Sequence, residues 1–226
     1  IHEKMIAAER FANEYKMPLI RLIEGTGGGG SVKSIEQDGY TYVPANPGWD
    51  WVVSNMATIP VVSLGLGPVA GLGAARLVSS HYSIIVKKMS QVFVAGPPVV
   101  NRLGENVTKE SLGGSEIHGK NGVIDDVADN EADALARAKK FLSYLPSSTY
   151  ELAKQIKNND PISRKDNWLI SAIPKNRRHS YEIRPIIESV TDKNSFFEIG
   201  KNWGTSSVSG FARLDGWPIV ILANDP

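Results

Sequence analysis

Residues 65–75 read GLGPVAGLGAA, and none of their side chains could serve as acid, base or metal ligand. The apolar run IPVVSL (59–64) precedes them and RLVSSHYSIIVKK follows. A strand that passes through such a turn into a helix leaves main-chain N–H groups without partners, and a helix start favours negative charge. Donors of this kind stabilise an oxyanion that forms in a transition state, each worth on the order of 3 kcal/mol. Glycine also lets a ligand carbonyl come close to the backbone. From the residues alone a plain connecting turn stays open beside this oxyanion-hole reading. A dinucleotide fingerprint does not fit, because the glycine spacing differs from G-x-G-x-x-G and no acidic residue follows about 20 positions on. No P-loop pattern occurs anywhere in the chain.

Charge around the turn is one-sided. Trp51 to Gly104 contains no Asp or Glu, but it holds Arg76, Lys87, Lys88 and Arg102. A hydratase or isomerase driven by a carboxylate would want a glutamate beside its oxyanion hole. This stretch suits an N–H cradle for an anionic ligand, although each basic residue taken singly also reads as solvated surface. In GGSEIH (113–118), His118 is a candidate base. Glu116 is two residues from it and does not share its helix face, so a histidine that hydrogen-bonds backbone is the preferred reading. His2, His81 and His179 do not pair at metal-ligand spacing. Cysteine is absent, which excludes disulfides and thiolate chemistry. With 25 basic and 24 acidic residues the overall field gives no case for nucleic acid. No apolar run reaches the ~20 residues that cross a bilayer.

The elements that must position the turn follow from periodicity. Residues 2–15 carry Met5, Ala8, Ala12 and Tyr15 at helical spacing, and Met17-Pro18 ends that helix. A strand at 18–24 breaks into GTGGGGS (25–31). A helix at about 49–57 precedes a strand at 59–67, the glycine turn and a helix at about 73–80. Strands at 83–87 and within 91–98 come next. Residues 130–145 form the clearest helix, with Asn130 as N-cap and Leu135, Ala138, Leu142 and Leu145 as the apolar stripe. The polar, proline-rich stretch 146–180 reads as an arm over the surface, a helix resumes near Pro185, and Asp215-Gly216 joins a hairpin at 211–224. Short strands alternating with helices predict an α/β fold. The ends, Ile1 and Pro226, read as those of an internal slice of a longer polypeptide.

Several stretches, in order, resemble a known family: PLIRLIEGTGGG (18–29), IPVVSLGLGPVAGLGAA (59–75), IIVKKMSQVFVAGPPVV (84–100), VTKESLGGSEIHGKNGVIDDVADNEADALARAKKFLSYLP (107–146), YEIRPIIESVTD (181–192) and GFARLDGWPIVILANDP (210–226). They are similar to the carboxyltransferase (β) subunits of biotin-dependent acyl-CoA carboxylases of the propionyl-CoA and methylcrotonoyl-CoA type, over essentially the whole chain. The resemblance implies a crotonase-like spiral of ββα units, the first of two such domains. Residues 1–146 would be its acyl-CoA-binding core, 147–209 a connecting arm, and 210–226 the first hairpin leading into the C-terminal domain. It further implies carboxyl transfer from carboxybiotin to the α or γ carbon of an acyl-CoA through an enolate, with the cofactor as base. The backbone N–H groups of Gly71, Leu72 and Gly73 would hold the enolate oxygen, and Gly27, Gly28, Gly67, Arg76 and Gly96 would face the CoA. Biotin would be carried on a partner subunit or domain, with no metal in this chain. The implied partners are a biotin carboxylase and biotin carrier subunit and further copies of the chain, in a mitochondrial matrix or bacterial cytoplasm. One departure stands out. The family places two adjacent glycines before an alanine, whereas here Leu72 separates Gly71 from Gly73. The N–H survives that change, but leucine does not enter a left-handed turn cheaply. This motivates the alternative of a non-catalytic CoA-binding or structural subunit. A decarboxylase subunit using the same site in reverse is a further alternative.

Overall fold

The structure, a computed structural model, describes residues 2–25, 32–40, 46–176 and 178–226. Helix α1 (His2–Glu14) runs through Met17-Pro18 into strand β1 (Leu19–Gly25). Helices α2 (Val32–Asp38) and α3 (Trp49–Thr58) lead to strand β2 (Val61–Ala70), which passes directly into α4 (Leu72–Val78). Strands β3 (Tyr82–Val86) and β4 (Gln91–Phe93) are followed by three short helices, α5 (Pro97–Val100), α6 (Lys109–Gly113) and α7 (Ser115–His118). Strand β5 (Asp126–Ala128) and helix α8 (Glu131–Leu142) complete this part. Helix α9 (Ile183–Val190) and strands β6 (Phe197–Ile199), β7 (Ser207–Leu214) and β8 (Trp217–Asn224) follow the arm.

The first sheet is parallel, in the order β1-β2-β3-β5. Strand β2 changes partner along its length: Val62–Gly65 pair with β3, and Pro68–Ala70 pair with β4. Strand β2 therefore runs through Gly65, Gly67 and Pro68 and ends at Ala70, three residues beyond its predicted end at 67. They sit where the ladder passes from one neighbour to the next, a place where a strand tolerates a missing donor and missing side chains. Only Gly71 turns the chain. Its φ of 59° and ψ of −125° belong to a region that glycine alone enters without strain.

Both faces of β2 are covered, which explains its nearly unbroken apolar run. On one face Val62 and Leu64 join Tyr82, Ile84 and Val86 against Ala134, Ala138 and Phe141 of α8. The rings of Tyr82 and Phe141 stack at 4.8 Å. On the other face Val69, Ile85 and Val92 pack against Ala74 and Leu77 of α4. Each fully buried side chain of this size contributes about 1.5–3 kcal/mol. Asn130 caps α8 as expected, accepting from the Asp133 N–H at 2.9 Å. Of the predicted stripe, Ala138 is buried and Leu142 and Leu145 pack against the same core, whereas Leu135 is left 41% exposed and Ala134 and Phe141 are buried beside Ala138.

Among the described residues of the arm at 146–180 there is one 3-10 turn, Asn167–Ser171. Arg164 braces the arm through Asp160 at 2.9 Å and Asp166 at 2.7 Å. Strands β6, β7 and β8 form a second, antiparallel sheet. Asp215 (φ 48°) and Gly216 (φ 75°) make the hairpin turn that the sequence signals, between strands that begin at Ser207. Phe197 and Phe211 seat this sheet on Phe141 and Tyr144. Among the described residues no helix is long and apolar enough to cross a membrane, and no group of three or more His, Asp or Glu side chains is placed to hold a metal ion.

Candidate active site

Three strand ends converge on Gly71. Strand β1 pairs with β2 as far as Gly25 beside Val69, and β4 pairs with β2 as far as Phe93 beside Ala70. The Gly71 N–H donates to the Phe93 carbonyl at 3.1 Å, so it belongs to the sheet ladder and cannot be an oxyanion donor. The first of the three expected donors is corrected on that ground. The Gly71 carbonyl accepts from Ala75 N–H at 3.0 Å and closes the first turn of α4. The N–H groups of Leu72, Gly73 and Ala74 precede that bond, and no side chain caps the helix. Among the described residues none of the three has an acceptor.

Leu72 is helical and exposed, so the left-handed conformation falls on Gly71 and the leucine is unstrained. Gly73 allows close packing: a Cβ there would stand 3.1 Å from Val69 Cγ1 and 3.9 Å from the Gly25 carbonyl oxygen. The start of α4 thus abuts the end of β1, from which the second glycine-rich segment leaves. Gly27 and Gly28, the CoA candidates on that segment, lie outside the described residues.

A buried polar network fixes α4. Arg21 of β1 binds Glu9 of α1 through two hydrogen bonds at 2.8 and 2.9 Å. Its Nη1 donates to the carbonyls of Arg76 and Ser79, at 3.2 and 2.5 Å, where α4 ends. Asn55 of α3 donates to Glu9 Oε2 at 2.8 Å. Arg21 therefore satisfies the last carbonyls of α4 while the opposite end of the helix meets the strand termini.

The remaining candidates separate. Arg76 lies 5.6 Å over the Trp49 ring, and its Nη1 is 3.8 Å from Met5 Sδ, so its guanidinium is engaged on the α1–α3 side of α4 and is not at the turn. Burial lowers its pKa, with Arg21 acting in the same sense and Glu9 opposing. Gly67 is buried under a protein side chain: a Cβ there would lie 2.6 Å from Glu24 Cγ, so the glycine makes room for Glu24 and not for CoA. Gly96 stands before α5, with only Pro98 Cδ near its free side, at 3.7 Å. Lys87 pairs with Asp129 at 2.5 Å, Lys88 occupies a left-handed turn (φ 60°), and Arg102 lies in a 3-10 turn after α5. The basic residues of this stretch do not form one cradle.

His118 does what the preferred reading expects. Its Nε2 lies 2.9 Å from the Val92 carbonyl oxygen and its Nδ1 3.3 Å from Asn121 Nδ2. Glu116 pairs with Lys120 instead, at 2.8 Å. The LGG that precedes them serves close packing on β4. A Cβ on Gly113 would stand 2.1 Å from the Val92 carbonyl oxygen and 2.8 Å from Phe93 Cδ1. Gly113→Ala is therefore expected to lower the unfolding free energy by about 2–3 kcal/mol. Urea denaturation checks this, and an unchanged midpoint would show that β4 yields freely.

Sequence reasoning missed one titratable neighbour, Glu24. It searched for carboxylates only between 51 and 104, whereas parallel pairing brings the end of β1 beside β2. The available signal was its place, immediately before the first glycine run.

Comparison with known proteins bears on all of this. A model of the carboxyl transferase domain matches residues 2–226. The chain is 35% identical over 176 residues to the mitochondrial propionyl-CoA carboxylase beta chain of Homo sapiens, covering 77% of this chain and 33% of that protein. It is 34% identical over 170 residues to the methylmalonyl-CoA decarboxylase subunit alpha of Veillonella parvula, covering 74% and 33%. The solved structure of transcarboxylase 12S, with hydrolysed methylmalonyl-coenzyme A bound, superposes with a TM-score of 0.84 at 27% identity, over 100% of this chain and 43% of that one. The chain thus spans between a third and about two fifths of the length of these relatives. The expected crotonase-like α/β fold agrees with this structural neighbour. On the match along its length and on the shared fold, the chain belongs to the carboxyl transferase domain family.

Proposed function

We propose that this chain contributes the acyl-CoA side of a carboxyltransferase site, at which a carboxyl group passes between carboxybiotin and an acyl-CoA thioester. The observation that carries the reading is the pair of N–H groups at Leu72 and Gly73, which have no acceptor among the described residues and lie where β1, β2 and β4 end. In a parallel α/β sheet ligands bind at the carboxyl ends of the strands. The thioester oxygen accepts from these two amides. As the α-proton leaves, negative charge grows on that oxygen, and donors already fixed in place stabilise it without reorganisation.

The residues present fit a cofactor that brings its own base: β2, α4 and β4 contain no Asp, Glu or His, and the Glu24 carboxylate of β1 lies over Gly67 and not at the Leu72–Gly73 amides. Carboxybiotin, held by a partner chain or domain, would supply the carboxyl group and that base. Leu72 supports the catalytic reading over the inert one, because its N–H remains and its backbone is unstrained. The relatives' names favour carboxylation of a short acyl-CoA, and the Veillonella relative favours the decarboxylating direction as the second reading. A biotin carboxylase and carrier subunit, with further copies of this chain, complete the proposed enzyme; the transcarboxylase 12S relative is described as a hexamer. The test is to supply the enzyme containing this chain with carboxybiotin and a panel of acyl-CoAs. A carboxylated thioester is the expected product. Tight CoA binding without turnover in either direction would identify a non-catalytic subunit instead.

A further inference from the structure

Glu24 has no counterpart in the chemistry above, and its setting is specific. Its side chain lies across Gly67 of β2, with Oε1 3.0 Å from the position a Cβ would take there. Any larger residue at 67 would displace it. Regular pairing of β1 with β2 lapses between Ile23 and Gly25, and Glu24 sits in that lapse. Its residue is exposed. Among the described residues it has no hydrogen-bond or ion-pair partner, unlike Glu9, Glu116 and Glu198, which are each paired with a cation. Gly67 is two residues before Val69, against which Gly73 packs. At about 3.3 Å per strand residue, Gly67 lies about 7 Å along β2 from Val69.

The reaction proposed for this site changes the charge of its thioester. An acyl-CoA enters with a neutral acyl group, and carboxylation adds one negative charge to it. We infer that Glu24 is a specificity-determining residue that disfavours the carboxylated thioester relative to the uncarboxylated one. The inference rests on the reading of the Leu72–Gly73 turn as the acyl site. A fixed charge on an exposed residue some two strand positions away disfavours a second like charge by about 2- to 3-fold in affinity, less as salt is added. In the carboxylating direction this speeds product release.

The test is equilibrium binding of propionyl-CoA and methylmalonyl-CoA to the wild-type chain, Glu24→Gln and Glu24→Asp, at low and high salt. These two probes differ by one carboxylate. In wild type the affinity ratio is expected to favour propionyl-CoA and to shrink with salt. Glu24→Gln is expected to reduce that preference about 2- to 3-fold and to remove its salt dependence. Glu24→Asp restores both, which a merely structural role would not do. Equal ratios in wild type and Glu24→Gln at low salt, with both thioesters bound, overturn the inference and leave the site reading standing. Failure of either thioester to bind any of the three proteins overturns the site reading and the inference together.

Discussion

Glu9→Ala is expected to lower the unfolding free energy by about 3–5 kcal/mol, a large part of the roughly 5–15 kcal/mol of a domain of ordinary stability. Glu9 and Arg21 have side chains only 6% and 5% exposed, and they meet at 2.8 Å. Removing the carboxylate leaves a guanidinium charge that water cannot reach, and this uncompensated charge, more than the lost attraction, sets the size of the effect. Asn55 loses one of its two acceptors on Glu9 in the same step and keeps the Glu9 backbone carbonyl. A double replacement, Glu9→Leu with Arg21→Met, removes both charges and is expected to recover part of the loss. Recovery stays incomplete because the carbonyls of Arg76 and Ser79 lose the donor that ends α4. Urea midpoints for wild type, each single variant and the double variant form the cycle that measures this. If Glu9→Ala costs less than about 1 kcal/mol, the pair is not an anchor of the fold.

The same network shows which parts of the molecule a sequence discloses. Helix α1 and strand β1 were legible because their periodicities are local, and Pro18 punctuates the boundary between them. The joining of Glu9 to Arg21 was not, since it needs the packing of α1 on the sheet. Strand β2 was read as ending at 67 because Pro68, in a glycine-rich run, looks like the start of a turn. Gly65, Gly67 and Pro68 mark instead the change of partner from β3 to β4, which exists only in three dimensions. In α8 the predicted stripe holds at Ala138, Leu142 and Leu145, but Ala134 and not Leu135 is buried against the sheet, next to the stacked Tyr82 and Phe141. The short helices α5, α6 and α7 have four or five residues each, too few for any period to register. At the site, the positions of Leu72 and Gly73 were legible from the glycine run. The engagement of Gly71 by Phe93 and the approach of Glu24 depend on strand register, which the run does not encode.

Leu72→Pro is expected to cut turnover by about 100- to 1,000-fold while leaving the fold almost intact, an effect confined to one hydrogen atom. Leu72 is the first residue of α4, where proline is favoured: the N–H there has no helical partner, and the ring fixes φ at a helical value. The preceding Gly71 holds ψ at −125°, outside the α region that a following proline disfavours. The leucine side chain is 57% exposed, so its removal takes little packing with it. Stability is therefore expected to change by less than about 1 kcal/mol. What disappears is one of the two donors proposed for the thioester oxygen, and the loss should fall on kcat more than on KM because the charge it stabilises forms during reaction. Leu72→Ala is the necessary companion, since it keeps the amide and deletes the side chain, and its turnover is expected to stay within a few-fold of wild type. Carboxylation rates of the assembled enzyme at saturating acyl-CoA, measured beside thermal melts of each variant, separate the two effects. Should Leu72→Pro match Leu72→Ala in rate with its melting temperature unchanged, the amide at Leu72 plays no part in the reaction and the two-donor cradle proposed here fails.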